Sequence, residues 1–138
     1  MYLIDTNVVS ELRKKEKANV GVTNFFSRAA EKKEALYISA ITIGELRRGV
    51  ELIRCRNDEK QASLLEGWLK NIVLNFKDNI LSFSEDEAQV WGKLRAPHHE
   101  NALDKQIAAT ALTYNLQLVT RNIRDFDKTG VSLINPFI

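Results

Sequence analysis

Cysteine is nearly absent from this chain of 138 residues, with Cys55 as the single one. One cysteine excludes an internal disulfide and any zinc site built from several thiolates, and it is typical of a reducing cell interior. Proline and glycine are scarce as well, at two and six residues. With 44% hydrophobic residues, the composition is that of a globular protein with its own core rather than a disordered or fibrous chain. We expect a single domain over residues 1–138.

The sequence also lacks a long apolar run and a recognisable leader. No apolar stretch approaches the ~20 residues of a membrane span. The chain opens on Met1-Tyr2-Leu3-Ile4 and then an acid, without the basic and long apolar regions of a signal peptide. These absences predict a soluble, cytoplasmic protein.

Positive charge is only in small excess, since the sequence has 20 basic and 18 acidic side chains. A net charge of +2 is too mild to indicate nucleic-acid binding by itself. The basic residues occur in short runs, which by pattern alone are more typical of solvated helix faces than of an RNA-binding surface. These runs are Arg13-Lys14-Lys15, Arg47-Arg48 and Arg54-Cys55-Arg56.

Short apolar segments of strand length alternate with segments of helical period. One helix carries a stripe that starts at Ile43 and Leu46, and we expect it to begin with a capping box from Thr42 to Glu45. The alternation predicts an α/β fold with a central, mostly parallel sheet and helices on both faces. Nearly all-apolar strands agree, because parallel strands are buried on both sides. About five strands are predicted, at residues 2–4, 36–38, 80–83, 116–119 and 131–134.

Four acidic residues lie where such a sheet binds ligands, near the carboxyl ends of its strands. Asp5 directly follows the first strand, Glu45 lies early in the helix after the second, and Asp125 follows the fourth. Asp104 begins the helix before the fourth strand, so the topology determines its position less. Taken singly, an acid at a helix start is explained by the helix dipole. Four converging carboxylates, however, would repel one another, and a hard divalent cation bound through oxygens would relieve that repulsion.

Four motifs, in order along the chain from Tyr2 to Phe137, resemble those of PIN-domain ribonucleases. Their order and spacing are similar to those of the toxin subunits of VapBC-type toxin–antitoxin modules, including the related Fit-type regulators. The resemblance implies a single PIN domain with a PIN-like three-layer α/β/α fold. The motifs are Asp5-Thr6-Asn7-Val8-Val9-Ser10, residues 39–50 around Gly44-Glu45, Asp104-Lys105-Gln106-Ile107-Ala108-Ala109-Thr110-Ala111, and residues 118–126 with the ending Asn135-Pro136-Phe137.

The resemblance also implies a metal centre. Asp5 and Asp104 correspond to the principal ligands of Mg²⁺ or Mn²⁺, and Glu45 and Asp125 correspond to supporting ligands. Relatives sometimes carry the fourth acid at the position of Asn122, so both positions stay open. Whether one or two ions bind is open as well.

Further roles follow from the same resemblance. Thr120 corresponds to a catalytic hydroxyl that orients water or metal, Asn7 corresponds to a polar neighbour that braces the first aspartate, and Thr6 is a supporting residue beside it. Four arginines flank the proposed site and are candidates for holding RNA phosphates. These arginines are Arg13, Arg47, Arg48 and Arg121.

The implied reaction is hydrolysis of an RNA phosphodiester by metal-activated water, which would leave a 5′-phosphate and a 3′-hydroxyl. The implied partners are a second copy of the chain, a small antitoxin that inserts a peptide into the acidic groove, and promoter DNA bound only through the antitoxin complex. No membrane is involved.

Two alternatives of other classes stay open beside this one. A non-catalytic PIN module that regulates by binding RNA or a partner is disfavoured by the presence of all four acids. A phosphotransferase of the haloacid-dehalogenase type would need a second acid two residues after Asp5, where Asn7 stands. No Gly-x-Gly-x-x-Gly and no P-loop support nucleotide binding. His98 and His99 are expected to be exposed, and Trp68 and Trp91 are expected in the core or a subunit interface.

Overall fold

The computed structural model describes all residues from 1 to 138 and contains one five-stranded sheet. The strands are β1 (Tyr2–Ile4), β2 (Leu36–Ser39), β3 (Ile80–Leu81), β4 (Gln117–Val119) and β5 (Leu133–Ile134). Every pair is parallel, and the order across the sheet is β3-β2-β1-β4-β5. The chain therefore starts in the central strand and builds the sheet outward to both sides.

Helices connect the strands and cover the sheet. They are α1 (Thr6–Glu11), α2 (Val20–Glu31), α3 (Ala40–Cys55), α4 (Glu59–Asn75), α5 (Glu85–Arg95), α6 (Ala102–Thr113) and α7 (Ile123–Phe126), with 3₁₀ segments at Leu12–Lys17 and Lys77–Asn79. The helix α3 packs against α4, and α5 packs against α6. None of the helices is long and apolar enough to cross a membrane.

Alternation along the central strands divides the core between the two faces of the sheet. Leu3 and Leu118 are paired in register and belong to a cluster formed with α6 and α7. Ile4 and Val119, the next pair, belong to the larger cluster formed with α1 to α4. Because successive side chains of a strand point to opposite faces, both layers of helices are needed to bury the sheet. The predicted three-layer α/β/α fold is confirmed.

The prediction of the capping box at Thr42 and Glu45 is wrong. The helix α3 begins three residues earlier than the box required, because Ser39 ends β2 in an extended conformation and its Oγ accepts the N–H of Ile41 at 3.0 Å. Thr42 is fully buried inside the helix. Glu45 is thus too far from the helix start to act as a cap.

The third and the fifth predicted strands are shorter than expected. The sheet pairing in β3 ends at Leu81, and in β5 it begins only at Leu133. Beyond Leu81 the chain turns into α5, where the carboxylate of Glu87 accepts the N–H of Ser84 at 2.9 Å and also its hydroxyl. Ser84 is therefore the N-cap of this helix.

Candidate active site

The site begins where the strand order reverses, between β1 and β4. Asp5 follows β1 and Thr120 follows β4, and the N–H of Asp5 donates to the carbonyl of Val119 at 2.9 Å. The chain leaves β1 toward β2 on one side, while β4 pairs on the other. Such a switch point leaves a crevice at the carboxyl ends of the strands, which is where parallel sheets bind ligands.

The carboxylate of Asp5 is almost fully enclosed, with 3% of the residue exposed. Its Oδ1 accepts the N–H of Thr6 at 2.8 Å, so Asp5 is also the N-cap of α1. Its Oδ2 accepts the hydroxyl of Thr120 at 2.7 Å and the amide of Asn7 at 3.2 Å. Burial raises the pKa of Asp5, and the negative charge of Glu45 raises it further. The three hydrogen bonds oppose this rise, because they favour the ionised form.

The hydroxyl of Thr120 is fully buried and is saturated with hydrogen bonds. It donates to Asp5 Oδ2, and it accepts the amide of Asn7 at 3.3 Å and the N–H of Asn122 at 3.0 Å. The other end of the Asn7 amide, Oδ1, accepts the N–H of Arg121 at 3.1 Å. Thr120 and Asn7 therefore tie the loop after β4 to the start of α1 and hold Asp5 between them.

Glu45 reaches the same crevice from α3. Its Oε1 accepts the hydroxyl of Thr6 at 2.7 Å, and the Oγ1 atoms of Thr6 and Thr42 lie 3.1 Å apart. The sequence reasoning treated Thr42 only as a capping residue and missed this contact. The spacing in the sequence could have indicated this contact, because Thr42 precedes Glu45 by three residues and the two side chains therefore lie on one face of a helix.

Asp104 is the most strongly perturbed carboxyl of the site, with its pKa raised to about 6. Burial is the largest cause, and the negative charges of Asp5, Asp125 and Glu45 add to it, while Lys105 opposes them. The four acids thus lie in one electrostatic neighbourhood. None of them forms an ion pair with a lysine, an arginine or a histidine.

The fourth acidic position lies at the rim of the crevice. Asp125 is exposed on the short helix α7, close enough to Asp104 to raise its pKa. Asn122, the alternative position, is exposed as well, and its backbone N–H is directed to Thr120. Of the two, only Asp125 brings a negative charge to the site.

The donor set suits a hard divalent cation, because it consists of carboxylates that no protein cation neutralises. No three acidic, histidine or cysteine side chains are gathered closely enough to form a ready-made metal cluster. Mg²⁺ does not need such a cluster, since it keeps several waters and binds through one or two carboxylates. Asp5 and Asp104 could hold it directly, with Glu45 and Asp125 acting at a longer distance.

The arginines that the sequence singles out differ in their surroundings. Arg47 forms an ion pair with Glu51 of its own helix α3 at 3.2 Å, and a second one with Glu66 at 2.9 Å that bridges α3 to α4. The guanidinium carbon of Arg121 lies 4.8 Å from the ring centroid of Phe137. Arg13 and Arg48 are exposed and form no ion pair.

None of the histidines or tryptophans forms a hydrogen bond or an ion pair with the four acids. His99 is exposed as expected, whereas His98 is partly buried, with Nδ1 at 3.9 Å from Glu100 Oε1. Trp68 packs against the larger core cluster, and the indole of Trp91 donates to the carbonyl of Ala102 at 3.0 Å.

Three curated proteins are similar to the chain over nearly its whole length. "Plasmid stability protein StbB" of Pseudomonas syringae pv. tomato is 34% identical over 142 residues, which cover 99% of each chain. "Toxin FitB" of Neisseria gonorrhoeae is also 34% identical over 142 residues, with the same coverage. "VapC ribonuclease Y4jK" of Sinorhizobium fredii is 32% identical over 143 residues, which cover 99% of this chain and 98% of the relative.

Two solved structures share the fold over nearly the whole chain. The crystal structure of FitAcB from Neisseria gonorrhoeae matches with a TM-score of 0.85 and 34% identity, over 99% of this chain and 98% of the other. VapBC2 from Rickettsia felis, bound to a DNA fragment from its promoter, matches with a TM-score of 0.73 and 25% identity, over 97% of each chain. A family model described as a PIN domain matches residues 2–131. The resemblance of the four motifs is thereby confirmed, and the chain belongs to the PIN domain family.

Proposed function

We propose that this chain, as a single PIN domain, is the toxin of a type II toxin–antitoxin system and acts as a Mg²⁺- or Mn²⁺-dependent endoribonuclease. The observation that carries the proposal is the set of four carboxylates that form no ion pair, in which three charges raise the pKa of Asp104. Relatives of this chain named as a ribonuclease and as a toxin support the same function. The chain would act in the cytoplasm.

The metal ligands we propose are Asp5 and Asp104, supported by Glu45 and Asp125. When bound, the divalent cation supplies the Lewis acidity for hydrolysis of the phosphodiester. The hydrogen bonds of Asp5 fix the direction of both of its carboxylate oxygens, and Asp104 would hold the cation in its ionised form. Thr120 acts here through Asp5, because its proton and its two acceptor positions are already used within the protein.

A small antitoxin is the partner that we propose to hold the enzyme inactive. An acidic crevice without internal cations suits the guanidinium group of an inserted arginine, which can bind carboxylates through two parallel hydrogen bonds. The relative from Neisseria gonorrhoeae is named as the toxin FitB, and the VapBC2 structure is bound to a DNA fragment from its promoter. We propose the same arrangement here: a homodimer of this chain, bound by antitoxins through which the complex contacts promoter DNA.

The decisive experiment incubates the purified chain with total RNA and Mn²⁺, beside Asp5→Asn, Asp104→Asn and the control Asp78→Asn. Asp78 is an exposed acid outside the site. We expect cleavage by the parent and by the control, and a loss of at least about a hundredfold in the other two, since each removes a proposed ligand charge. Persistent cleavage in either site variant would mean that the site is misplaced.

The ends of the products test the chemistry independently. Attack by water predicts a 5′-phosphate and a 3′-hydroxyl, which can be read from ligation and phosphatase assays. A 2′,3′-cyclic phosphate would refute attack by water. A chain that binds RNA or a partner protein without any metal-dependent cleavage would instead be a regulatory PIN module.

The biological role has its own test. Expression of the chain alone is expected to arrest growth, and co-expression of the small gene beside it is expected to restore growth. Arrest that persists with the Asp5→Asn variant would separate toxicity from RNA cleavage.

A further inference from the structure

A buried lysine lies next to the acidic crevice and has no carboxylate partner. Lys105 follows Asp104 in α6, and only 4% of the residue is exposed. Its ammonium donates to the backbone carbonyl of Glu100 and forms no ion pair within the protein. An ammonium group can donate three hydrogen bonds, and Lys105 donates only one within the protein. An unpaired cation at this position therefore points to a ligand.

Lys105 lines a polar cavity of about 370 Å³ at the start of α6. No hydrophobic residue lines this cavity. Two further cations, Arg124 and Lys128, line it as well, and neither forms an ion pair. Asp125 is shared between this cavity and the acidic crevice, so a ligand in the cavity would lie beside the catalytic carboxylates.

The start of α6 adds further donors to the same cavity. Asn101, the N-cap residue and a lining residue, makes no side-chain hydrogen bond to the first turn. The first N–H groups of a helix have no partner within the helix, and they favour anions when no side chain caps them.

Acidic residues also line the cavity, and their negative charges oppose those of the three cations. Glu100, Asp125 and Asp127 stand on its wall, yet none of them lies within ion-pair distance of the three cations. Glu100 has a lowered pKa, first through a hydrogen bond from its own N–H and then through the positive charge of Lys105. A cation bound at Asp125 would remove one of the three negative charges.

We propose that this cavity, here called the Lys105 cavity, binds a backbone phosphate of the RNA next to the phosphate that is cleaved. The proposal rests on the proposed function as a ribonuclease. Lys105 is the central contact, and Arg124 and Lys128 contribute positive charge from the wall. Three cations around one polar cavity favour recognition of the charged sugar–phosphate backbone.

The test measures RNA affinity as a function of salt in the Asp5→Asn background, which prevents cleavage during the titration. A fluorescently labelled single-stranded RNA and Mg²⁺ are used, with fluorescence anisotropy as the readout. Lys105→Met and Arg124→Ala are each expected to weaken binding roughly fivefold and to reduce the slope of log affinity against log salt by about 0.7, the value for one lost phosphate contact. The matched control Lys60→Met alters an exposed lysine at the start of α4 and is expected to change neither value.

Unchanged affinity in both Lys105→Met and Arg124→Ala would overturn the proposal. A weaker affinity with an unchanged salt slope would overturn it too, because that pattern indicates a disturbed fold and not a lost phosphate contact. Arg124 is exposed, so its variant gives an answer even if the buried Lys105→Met fails to fold. The proposed function fails separately, if the parent protein does not cleave RNA while these binding effects are present.

Discussion

Asp5 combines burial with the role in ion binding that we propose for it. Its carboxylate lies in the interior, and the donors around it come from Thr6, Asn7 and Thr120 rather than from a cation. Neutral donors stabilise the ionised form without cancelling its charge. The carboxylate therefore stays available to an external cation, which a salt bridge with arginine would prevent.

The Thr120→Val substitution tests how far Asp5 depends on this network. Valine has the same shape but no hydroxyl, so Asp5 loses its shortest hydrogen bond, and the N–H of Asn122 loses its acceptor. We expect a loss of about 1–3 kcal/mol in the free energy of unfolding, measured with urea, and a higher pKa of Asp5. Thr120→Ser keeps the hydroxyl and is expected to retain most of the stability. Equal stability of the valine variant and the parent would contradict the role of this hydroxyl.

Asp104 makes the metal-free protein sensitive to pH. Its folded pKa of about 6 lies above the ~3.9 of an unfolded chain. Between these values the folded protein binds more protons than the unfolded chain, so this carboxyl destabilises the fold as the pH rises from about 4 to above 6.

The Asp104→Asn variant removes that destabilisation. In the presence of a chelator we expect it to be more stable than the parent by about 1 kcal/mol at pH 7.5, a value reduced for solvent screening of a half-buried carboxyl. The advantage should vanish near pH 4, where the parent carboxyl is protonated. Urea unfolding at several pH values measures the difference, with Asp78→Asn as the control. An advantage independent of pH would show that charge is not its cause.

Among the helices, α2 depends on a close approach to the end of the chain. The side chain of Asn19 accepts the N–H groups of Gly21 at 2.9 Å and Ile138 at 3.2 Å, and it donates to the carbonyl of Ile138 at 2.8 Å. A Cβ atom on Gly21 would lie 2.1 Å from the carbonyl oxygen of Pro136. Only glycine allows the backbone of the last residues to lie this close to the first turn of α2.

The Gly21→Ala substitution is expected to destabilise the protein by about 2 kcal/mol, because the backbone at Pro136 has to move. Gly67→Ala is the matched control, since a Cβ atom there meets nothing within 4 Å. Gly67 is exposed in the middle of α4, where alanine should stabilise the helix by roughly 0.5–1 kcal/mol relative to glycine. Thermal or urea unfolding compares the two variants, and equal effects of the same sign would contradict the steric explanation.

The position at which α3 begins determines the role of Glu45. A helix that began after Thr42 would make Glu45 a capping acid, whereas the observed start at Ala40 places it in the second turn. There its carboxylate accepts the hydroxyl of Thr6 from α1. The capping pattern in the sequence was misleading because Ser39, the last residue of β2, is itself the N-cap of α3. The helix therefore begins before Thr42 is reached.

For the folded chain as a unit, the acidic crevice predicts that a divalent cation stabilises the native state. Binding to the folded protein alone adds about 2.7 kcal/mol at a concentration 100 times the dissociation constant. We expect Mg²⁺ or Mn²⁺ to raise the melting temperature, and the rise to be absent in Asp5→Asn. Sodium chloride at equal ionic strength is the control. An equal rise in that control would attribute the effect to screening and not to a bound ion.

Much of the fold was predictable from the sequence because it depends on local patterns. Apolar segments of strand length alternate with helical periods, and this alternation predicts parallel strands with helices on both faces. The helix start at Ala40 and the early end of β3 at Leu81 were not predictable in this way. Both boundaries depend on contacts with residues distant in the sequence, such as the hydrogen bonds between neighbouring strands. The periodicity of the sequence does not contain that information.

By itself, the sequence determined the fold class, the family resemblance and the four acids that follow or precede the strands. Only the tertiary structure decided which residues contact one another: Thr120 reaches Asp5 across 115 positions, and Thr6 reaches Glu45 across 39. It also decided that Lys105 is buried beside the site. The physical reason is that the order of the strands, with β4 next to β1, sets these distances. A strand order is a property of long-range pairing, and no local pattern along the chain encodes it.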